Sequence, residues 1–181
     1  MTLYQNKYRV EPTRLCDWDY RTRGWYFVTI CSHNRTHIFG EVVHGHVELS
    51  MLGLIATSEL QNLPAHYSNV QIDASVVMPN HLHALIMIDG QHCFSPRVST
   101  MPSIETAPSG CSSPRPGSLS SVVRSYKAGV TRRGRESGLT LPVWQPRFHD
   151  HILRGDGTIA AVRDYIRNNP ANCAKDKENP S

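Results

Sequence analysis

The sequence predicts an α+β domain in which helices pack on one face of an antiparallel sheet. Segments rich in aromatic and β-branched residues, such as WYFVTICS at 25–32, are typical of strands. Other segments carry apolar residues at the spacing of an amphipathic helix, such as TIAAVRDYIRNN at 158–169. The two kinds of segment follow one another in the order β-α-β-β-α-β-α, without an internal repeat. That order favours a mixed antiparallel architecture over an all-helical one.

In the first half of the chain, residues 25–32 predict a central strand. Residues 42–50 predict a small hairpin with Gly45 at its bend, and residues 51–67 predict a helix with Pro64 near its end.

The second half begins with two strands, VQIDASVV and HLHALIMI, which meet at Met78-Pro79-Asn80. A helix at 118–134 starts with serine caps, and the last helix stops before Pro170. Between these helices, residues 143–153 predict one further strand.

Length and composition indicate a globular protein of one domain. We treat residues 1–181 as that domain, since 181 residues with 39% hydrophobic and 19% charged content suffice for a core. The chain has no apolar run that could span a membrane and no secretory signal at its N-terminus, which predicts a cytoplasmic location. The five cysteines are scattered and form no C-x-x-C pair, so neither a disulfide framework nor a zinc ribbon is indicated.

Residues 91–117 differ in composition from the rest of the chain. They hold five of the twelve prolines together with many serines and threonines, which predicts a flexible insertion. A mobile lid, a partner-binding segment and a tolerated insertion all remain open as its role.

The positive charge of the chain is concentrated after this insertion. Residues 119–135 contain five basic residues and no acidic one, a distribution that suits a polyanion such as nucleic acid. A solvated helix face is the common alternative for such a run, so the pattern alone is weak.

Two histidines stand in the strand HLHALIMI. Successive side chains of a strand point to opposite faces, so His81 and His83 share one face. Their apolar neighbours imply burial, where an imidazole needs a partner. Core histidines bonded to carbonyl groups are one interpretation, but two on one face favour a metal or a phosphate.

The last helix carries a phenol and an amide one turn apart. Tyr165 and Asn169 lie on one helix face, beside an apolar stripe of Ile159, Val162 and Ile166. If that face meets the histidines, nitrogen and oxygen ligands together suit Mg²⁺ or Mn²⁺. Tyr165 would then be a nucleophile for phosphate, although periodicity alone favours an amphipathic residue at the edge of the core.

Three segments together resemble a known family. MPNHLHALI, VWQPRFHDHI and VRDYIRNNP, in this order and at these separations, are similar to the REP-associated tyrosine transposases, a group of single-tyrosine HUH transposases. The resemblance extends from GWYFVTICSHNR to Pro170. It implies a ferredoxin-like HUH endonuclease fold, cleavage of single-stranded DNA near hairpin repeats, and association of this cytoplasmic protein with the nucleoid.

The resemblance also implies roles for individual residues. The two HUH histidines fall on His81 and His83, the catalytic tyrosine on Tyr165, and the third metal ligand on Asn169. The implied cofactor is Mg²⁺ or Mn²⁺. Attack by the tyrosine would leave a 5′-phosphotyrosine and a free 3′-hydroxyl that can later reverse the step.

DNA contacts are predicted from charge and aromatic character. Basic residues of the two later helices would bind the backbone, and residues of the WQPRF segment would stack on unpaired bases. Packing of that segment against the sheet is an equal alternative. The predicted contacts are Arg124, Lys127, Arg132, Arg133, Trp144, Arg147, Arg163 and Arg167, with Phe148 as a further stacking candidate.

Several alternatives remain open at this point. Tyr126 is a rival nucleophile, and His149 and His151 form a rival metal pair that we treat as structural or DNA-facing. A histidine-triad hydrolase is disfavoured because its third histidine would fall on Leu85. A domesticated, catalytically inactive DNA-binding protein of the same fold is the main functional alternative. A homodimer that exchanges the helix of Tyr165 is also open.

Overall fold

The computed structural model describes residues 3–4, 8–9, 18–90 and 114–175 of the chain. The strands are β1 (Leu3–Tyr4), β2 (Tyr8–Arg9), β3 (Gly24–Cys31), β4 (Gly40–Val43), β5 (His46–Leu49), β6 (Val70–Val77), β7 (His81–Ile88) and β8 (His149–Leu153). The α-helices are α1 (Met51–Gln61), α2 (Leu63–His66), α3 (Leu119–Glu136) and α4 (Asp156–Asn168), and 3₁₀ helices span His33–Arg35 and Pro170–Lys175. Of the predicted flexible insertion, residues 91–113 lie outside the described part.

The main sheet has four antiparallel strands in the order β6-β7-β3-β8. Helix α1 connects β3 to β6 after the β4–β5 hairpin, and α3 connects β7 to β8. This is the strand order and connectivity of a ferredoxin-like β-α-β-β-α-β unit. The predicted α+β class with an antiparallel sheet is confirmed.

One face of the sheet forms the larger core with α1 and α3. Alternate residues of β3, including Tyr26, Val28 and Ile30, point to this face and are buried against apolar residues of both helices. Serine caps fix where these helices begin, since the Ser50 hydroxyl accepts from Gly53 N and the Ser118 hydroxyl accepts from Ser121 N.

Helix α4 lies on the opposite face, which differs from the expectation that the helices pack on one face. Its apolar residues Ile159, Val162 and Ile166 pack in a second, smaller cluster with Leu85. The side chains of β3 and β7 that point to this second face include apolar residues such as Trp25, Phe27 and Leu85. The sheet therefore buries apolar side chains on both of its faces. The helix that carries Tyr165 therefore meets the sheet face that carries the histidines.

Two further predictions are confirmed in part. The hairpin β4–β5 turns at His44 and Gly45, which have φ values of 50° and 79°, the left-handed conformation that such two-residue turns require. The strand predicted at 143–153 begins only at His149, and Trp144 forms one isolated bridge with Ser32. Pro146 lacks an N–H donor, so the ladder cannot run continuously through it.

In the part of the chain that the structure describes, no helix combines the length and the apolar character that a membrane span requires.

Candidate active site

A tight turn delivers the two histidines to the start of β7. Met78 N donates to His81 O at 2.8 Å, which closes the turn through Pro79 and Asn80. The carbonyl of Pro79 accepts from Phe39 N, and the carbonyl of Asn80 accepts from Ser32 N. The turn is thus bonded to two other parts of the chain, and the first histidine is held in a fixed position.

Both histidines are buried on the sheet face that α4 covers. His81 is 0% exposed and His83 is 2% exposed. Their Nε2 atoms lie 3.2 Å apart. The predicted sharing of one face by the two imidazoles is confirmed.

Side-chain partners orient each ring through Nδ1. His81 Nδ1 donates to Asn80 Oδ1 at 2.6 Å, because an amide oxygen can only accept. With Nδ1 as the donor, a neutral His81 ring presents the lone pair of Nε2 to the site. His83 Nδ1 bonds the hydroxyl of Thr29, its cross-strand partner on β3, at 2.9 Å. Such partners of Nδ1 are the usual means by which a metal-binding imidazole is oriented.

The tyrosine of α4 completes the group. Tyr165 Oη lies 3.3 Å from His83 Nε2, and the ring contacts His83 and Phe27 edge to face. The side chain is 43% exposed, although both histidines are buried. The phenol is therefore open to a ligand from solvent while its oxygen lies beside an imidazole.

Asn169 follows Tyr165 by one helical turn, at the C-terminal cap of α4, and its side chain is buried. Its predicted contact with a metal stays a prediction.

The chemistry of the donor set fits a divalent ion held by two imidazoles. A bond from a metal ion to an imidazole nitrogen is about 2.1 Å long, so one ion reaches both rings only if the nitrogens are less than about 4.2 Å apart. The observed 3.2 Å meets that condition. Among the described residues, no group of three or more His, Cys, Asp or Glu side chains could hold a metal.

Most predicted DNA contacts lie away from this site. Helix α3 packs on the opposite face of the sheet, so its basic residues and the histidine pair are on different sides. Arg124, Arg132 and Arg147 are exposed, and no carboxylate of the described residues forms an ion pair with them.

Other predicted contacts have protein partners. Arg133 pairs with Glu59 at 2.9 Å, and Arg163 pairs with Asp73. Arg167, exposed on α4, lies 3.9 Å from the carboxylate of Asp164.

Lys127 and Trp144 have internal contacts. Lys127 Nζ donates to the carbonyls of Gln145 and Arg147, both at 2.8 Å, and burial lowers the pKa of its ammonium group to about 8. The Trp144 ring packs against Phe39 and Tyr126, and its indole N–H donates to Lys127 O. Phe148 is buried in the larger core. These contacts favour the packing alternative for the WQPRF segment.

The rival nucleophile Tyr126 is a core residue. Its side chain is 1% exposed, its hydroxyl donates to Ala56 O at 3.1 Å, and burial raises its pKa. A DNA phosphate cannot reach it without unfolding of the core.

The second histidine pair lies on the face of the site. In the register of β3 with β8, His149 is opposite Thr29 and His151 is opposite Phe27. Both histidines are exposed on an edge strand, one strand away from the residues that contact His83 and Tyr165.

Three residues of this region are not indicated by any sequence pattern: Thr29, Phe27 and Asp73. Strand alternation places Thr29 and Phe27 on one face. Only the pairing of β3 with β7, more than 50 residues away, puts that face beside the histidines.

The fold and the family follow from two comparisons with known proteins. The chain matches the structure of the REP associates tyrosine transposase bound to a REP hairpin with a TM-score of 0.56 at 20% identity, over 98% of this chain and 77% of that chain. The α+β fold is therefore that of a REP tyrosine transposase. No family model matches the sequence. An uncharacterized protein of Haemophilus influenzae is 34% identical over 163 residues, which cover 87% of this chain and 86% of that protein. The chain belongs to the same family as this Haemophilus protein.

Proposed function

We propose that the protein is a metal-dependent transposase that cleaves and rejoins single-stranded DNA near hairpin repeats, with Tyr165 as the nucleophile. One observation carries the proposal: Tyr165 Oη, His83 Nε2 and His81 Nε2 follow one another at 3.3 Å and 3.2 Å. A phenol beside two metal-competent imidazoles, open to solvent on one side, suits attack on a phosphodiester. The fold shared with a transposase bound to a REP hairpin agrees with this assignment.

His81 and His83, together with Asn169, would hold Mg²⁺ or Mn²⁺. When bound, the ion would polarise a phosphoryl oxygen and neutralise the charge that develops on it. The residues around the pair have positioning roles, since Thr29 and Asn80 fix the two rings through Nδ1.

The chemical step exchanges one phosphodiester for another. The bond from Tyr165 Oη to phosphorus forms, the bond from phosphorus to the 3′ oxygen breaks, and the 3′ oxygen gains the proton that the phenol loses. The products are a 5′-phosphotyrosine and a free 3′-hydroxyl, which reverses the step when it attacks the protein-linked phosphate. No net bond energy is consumed, so positioning accounts for much of the catalysis.

The DNA partner reaches the site across β3 and β8. Helix α4 packs on β6 and β7, and the other half of this sheet face carries exposed His149 and His151. Arg124, Arg132 and Arg147 are candidates for contacts with more distant parts of a folded hairpin. Tyr165 and the two histidines lie together within one chain. A homodimer that exchanges the helix of Tyr165 and a cytoplasmic, nucleoid-associated location stay predictions.

The test is a cleavage assay with oligonucleotides from the DNA that flanks the gene. Hairpin-containing single strands, labelled at either end, are incubated with the protein and Mn²⁺, Mg²⁺ or EDTA and run on a denaturing gel. We expect metal-dependent cleavage in which only the 3′ fragment, which carries the 5′ phosphate, is retained on the protein. Tight binding without cleavage of any flanking strand would instead favour the domesticated, inactive DNA-binding protein.

A further inference from the structure

A bidentate ion pair joins the helix of the candidate nucleophile to the sheet. Arg163 Nε donates to Asp73 Oδ2 at 2.6 Å, and Arg163 Nη2 donates to Asp73 Oδ1 at 3.0 Å. The guanidinium also lies over the ring of Trp25, 5.6 Å from its centroid. A planar fork held on two oxygens and one ring face has a defined orientation, unlike a single-point contact.

The carboxylate of this pair stands at an irregularity of β6. The register of β6 with β7 shifts between Ile72 and Ala74, so that Asp73 occupies a bulge. Before the bulge, Val70 and Ile72 pack with the larger core, and after it Ala74 packs with the cluster of α4. Bulges re-aim side chains beside functional sites, and an aspartate is otherwise disfavoured within a strand.

The pair and the tyrosine lie on opposite flanks of α4. The helix turns by about 100° per residue, so Arg163 and Tyr165 lie on either side of the stripe of Ile159 and Ile166 that faces the sheet. Apolar contacts of that stripe are non-directional and permit the helix to roll. A directional contact on one flank fixes the roll, and with it the position of the phenol on the other flank.

We propose that Asp73 and Arg163 are positioning residues that hold α4, and therefore Tyr165, against the histidine pair of the same chain. This inference rests on the proposed function. In this proposal Arg163 binds Asp73 and does not make the DNA contact that the sequence predicts, because the ion pair engages Nε and Nη2 of the guanidinium.

The experiment compares this ion pair with an exposed ion pair between the residue that precedes β3 and the residue that follows β7. Asp73→Asn and Arg163→Gln are made alongside Asp89→Asn and Arg23→Gln, which alter an exposed ion pair of 3.4 Å outside the α4 contact. Arg163→Lys keeps the charge but loses the fork, and Asp73→Arg with Arg163→Asp exchanges the two charges. For each variant we measure the single-turnover rate of adduct formation at Tyr165, the affinity for the same oligonucleotide, and hydrogen exchange of the α4 amides without DNA.

For the Asp73 and Arg163 variants we expect a loss of adduct rate on the order of 10- to 100-fold, the effect of a small displacement of a reacting group. Affinity should change less than about twofold, exchange in α4 should rise, Arg163→Lys should be intermediate, and the charge exchange should recover part of the rate. The control variants Asp89→Asn and Arg23→Gln should leave the adduct rate, the affinity and the exchange in α4 unchanged.

Two results would overturn the inference. The Asp73 and Arg163 variants would form the adduct as fast as the control variants, or their rates would fall only in proportion to their affinity for DNA. The second result would mean that Arg163 contacts DNA. If the wild-type protein forms no adduct, the proposed function fails. Hydrogen exchange of the α4 amides then decides separately whether the ion pair holds α4. Unchanged exchange in Asp73→Asn would show that the pair does not hold the helix.

Discussion

Replacement of either helical tyrosine by phenylalanine separates the chemistry from folding. Tyr126→Phe removes a buried hydroxyl that donates to Ala56 O at 3.1 Å and leaves that carbonyl without this donor. A buried hydrogen bond of this kind contributes about 1 to 1.5 kcal/mol, so the free energy of unfolding should fall by about that amount. Tyr165→Phe removes a hydroxyl from a side chain that is 43% exposed, and the free energy of unfolding should change by less than about 0.5 kcal/mol.

The effects on activity should be the reverse of the effects on stability. Tyr126→Phe should form the covalent DNA adduct at a rate close to that of the wild type, because its phenol is enclosed in the core. Tyr165→Phe should form none and should still bind the oligonucleotide. Denaturant unfolding gives the stabilities, and a denaturing gel of the labelled oligonucleotide gives the adduct. An adduct in Tyr165→Phe, or its loss in a folded Tyr126→Phe, would refute the reasoning.

Three further outcomes are expected. His83→Ala should lose Mn²⁺ binding in a titration followed by electron paramagnetic resonance, since the imidazole is one of two nitrogen ligands 3.2 Å apart; undiminished binding would move the metal elsewhere. His149→Ala with His151→Ala should weaken binding of single-stranded DNA with little effect on stability, since both side chains are exposed, and an unchanged dissociation constant would remove β8 from the DNA path. Between pH 8 and 10.5 the folded state binds fewer protons at Lys127 than the unfolded state, whose ordinary lysine pKa is higher. The free energy of unfolding should therefore rise through that window, and more in the wild type than in Lys127→Met; equal pH profiles would contradict the lowered pKa.

Local pattern was sufficient to predict the order of the elements and the shared face of His81 and His83. Strand alternation fixes which side chains stand together, and helical spacing places Tyr165 and Asn169 one turn apart. These features depend on neighbours within a few residues, and the structure reproduces them.

Features that depend on distant parts of the chain could not be predicted in this way. The side on which α4 packs could not be predicted, because β7 is buried on both faces and its own pattern shows no preference for one of them. Thr29 supports His83 from 54 residues away, and Asp73 meets Arg163 from 90 residues away. For Lys127, a basic run suggested contact with DNA, whereas burial against two carbonyls is a property of the tertiary structure.

The most direct test of the central claim is a peptide map of the protein after reaction with a hairpin-containing single strand and Mn²⁺. Nuclease digestion of the linked DNA would leave a nucleotide on the protein, and mass spectrometry would locate it. The account predicts a metal-dependent modification on the peptide that contains Tyr165 and none when EDTA is present. A modification on another residue, or one that forms equally in EDTA, would contradict it.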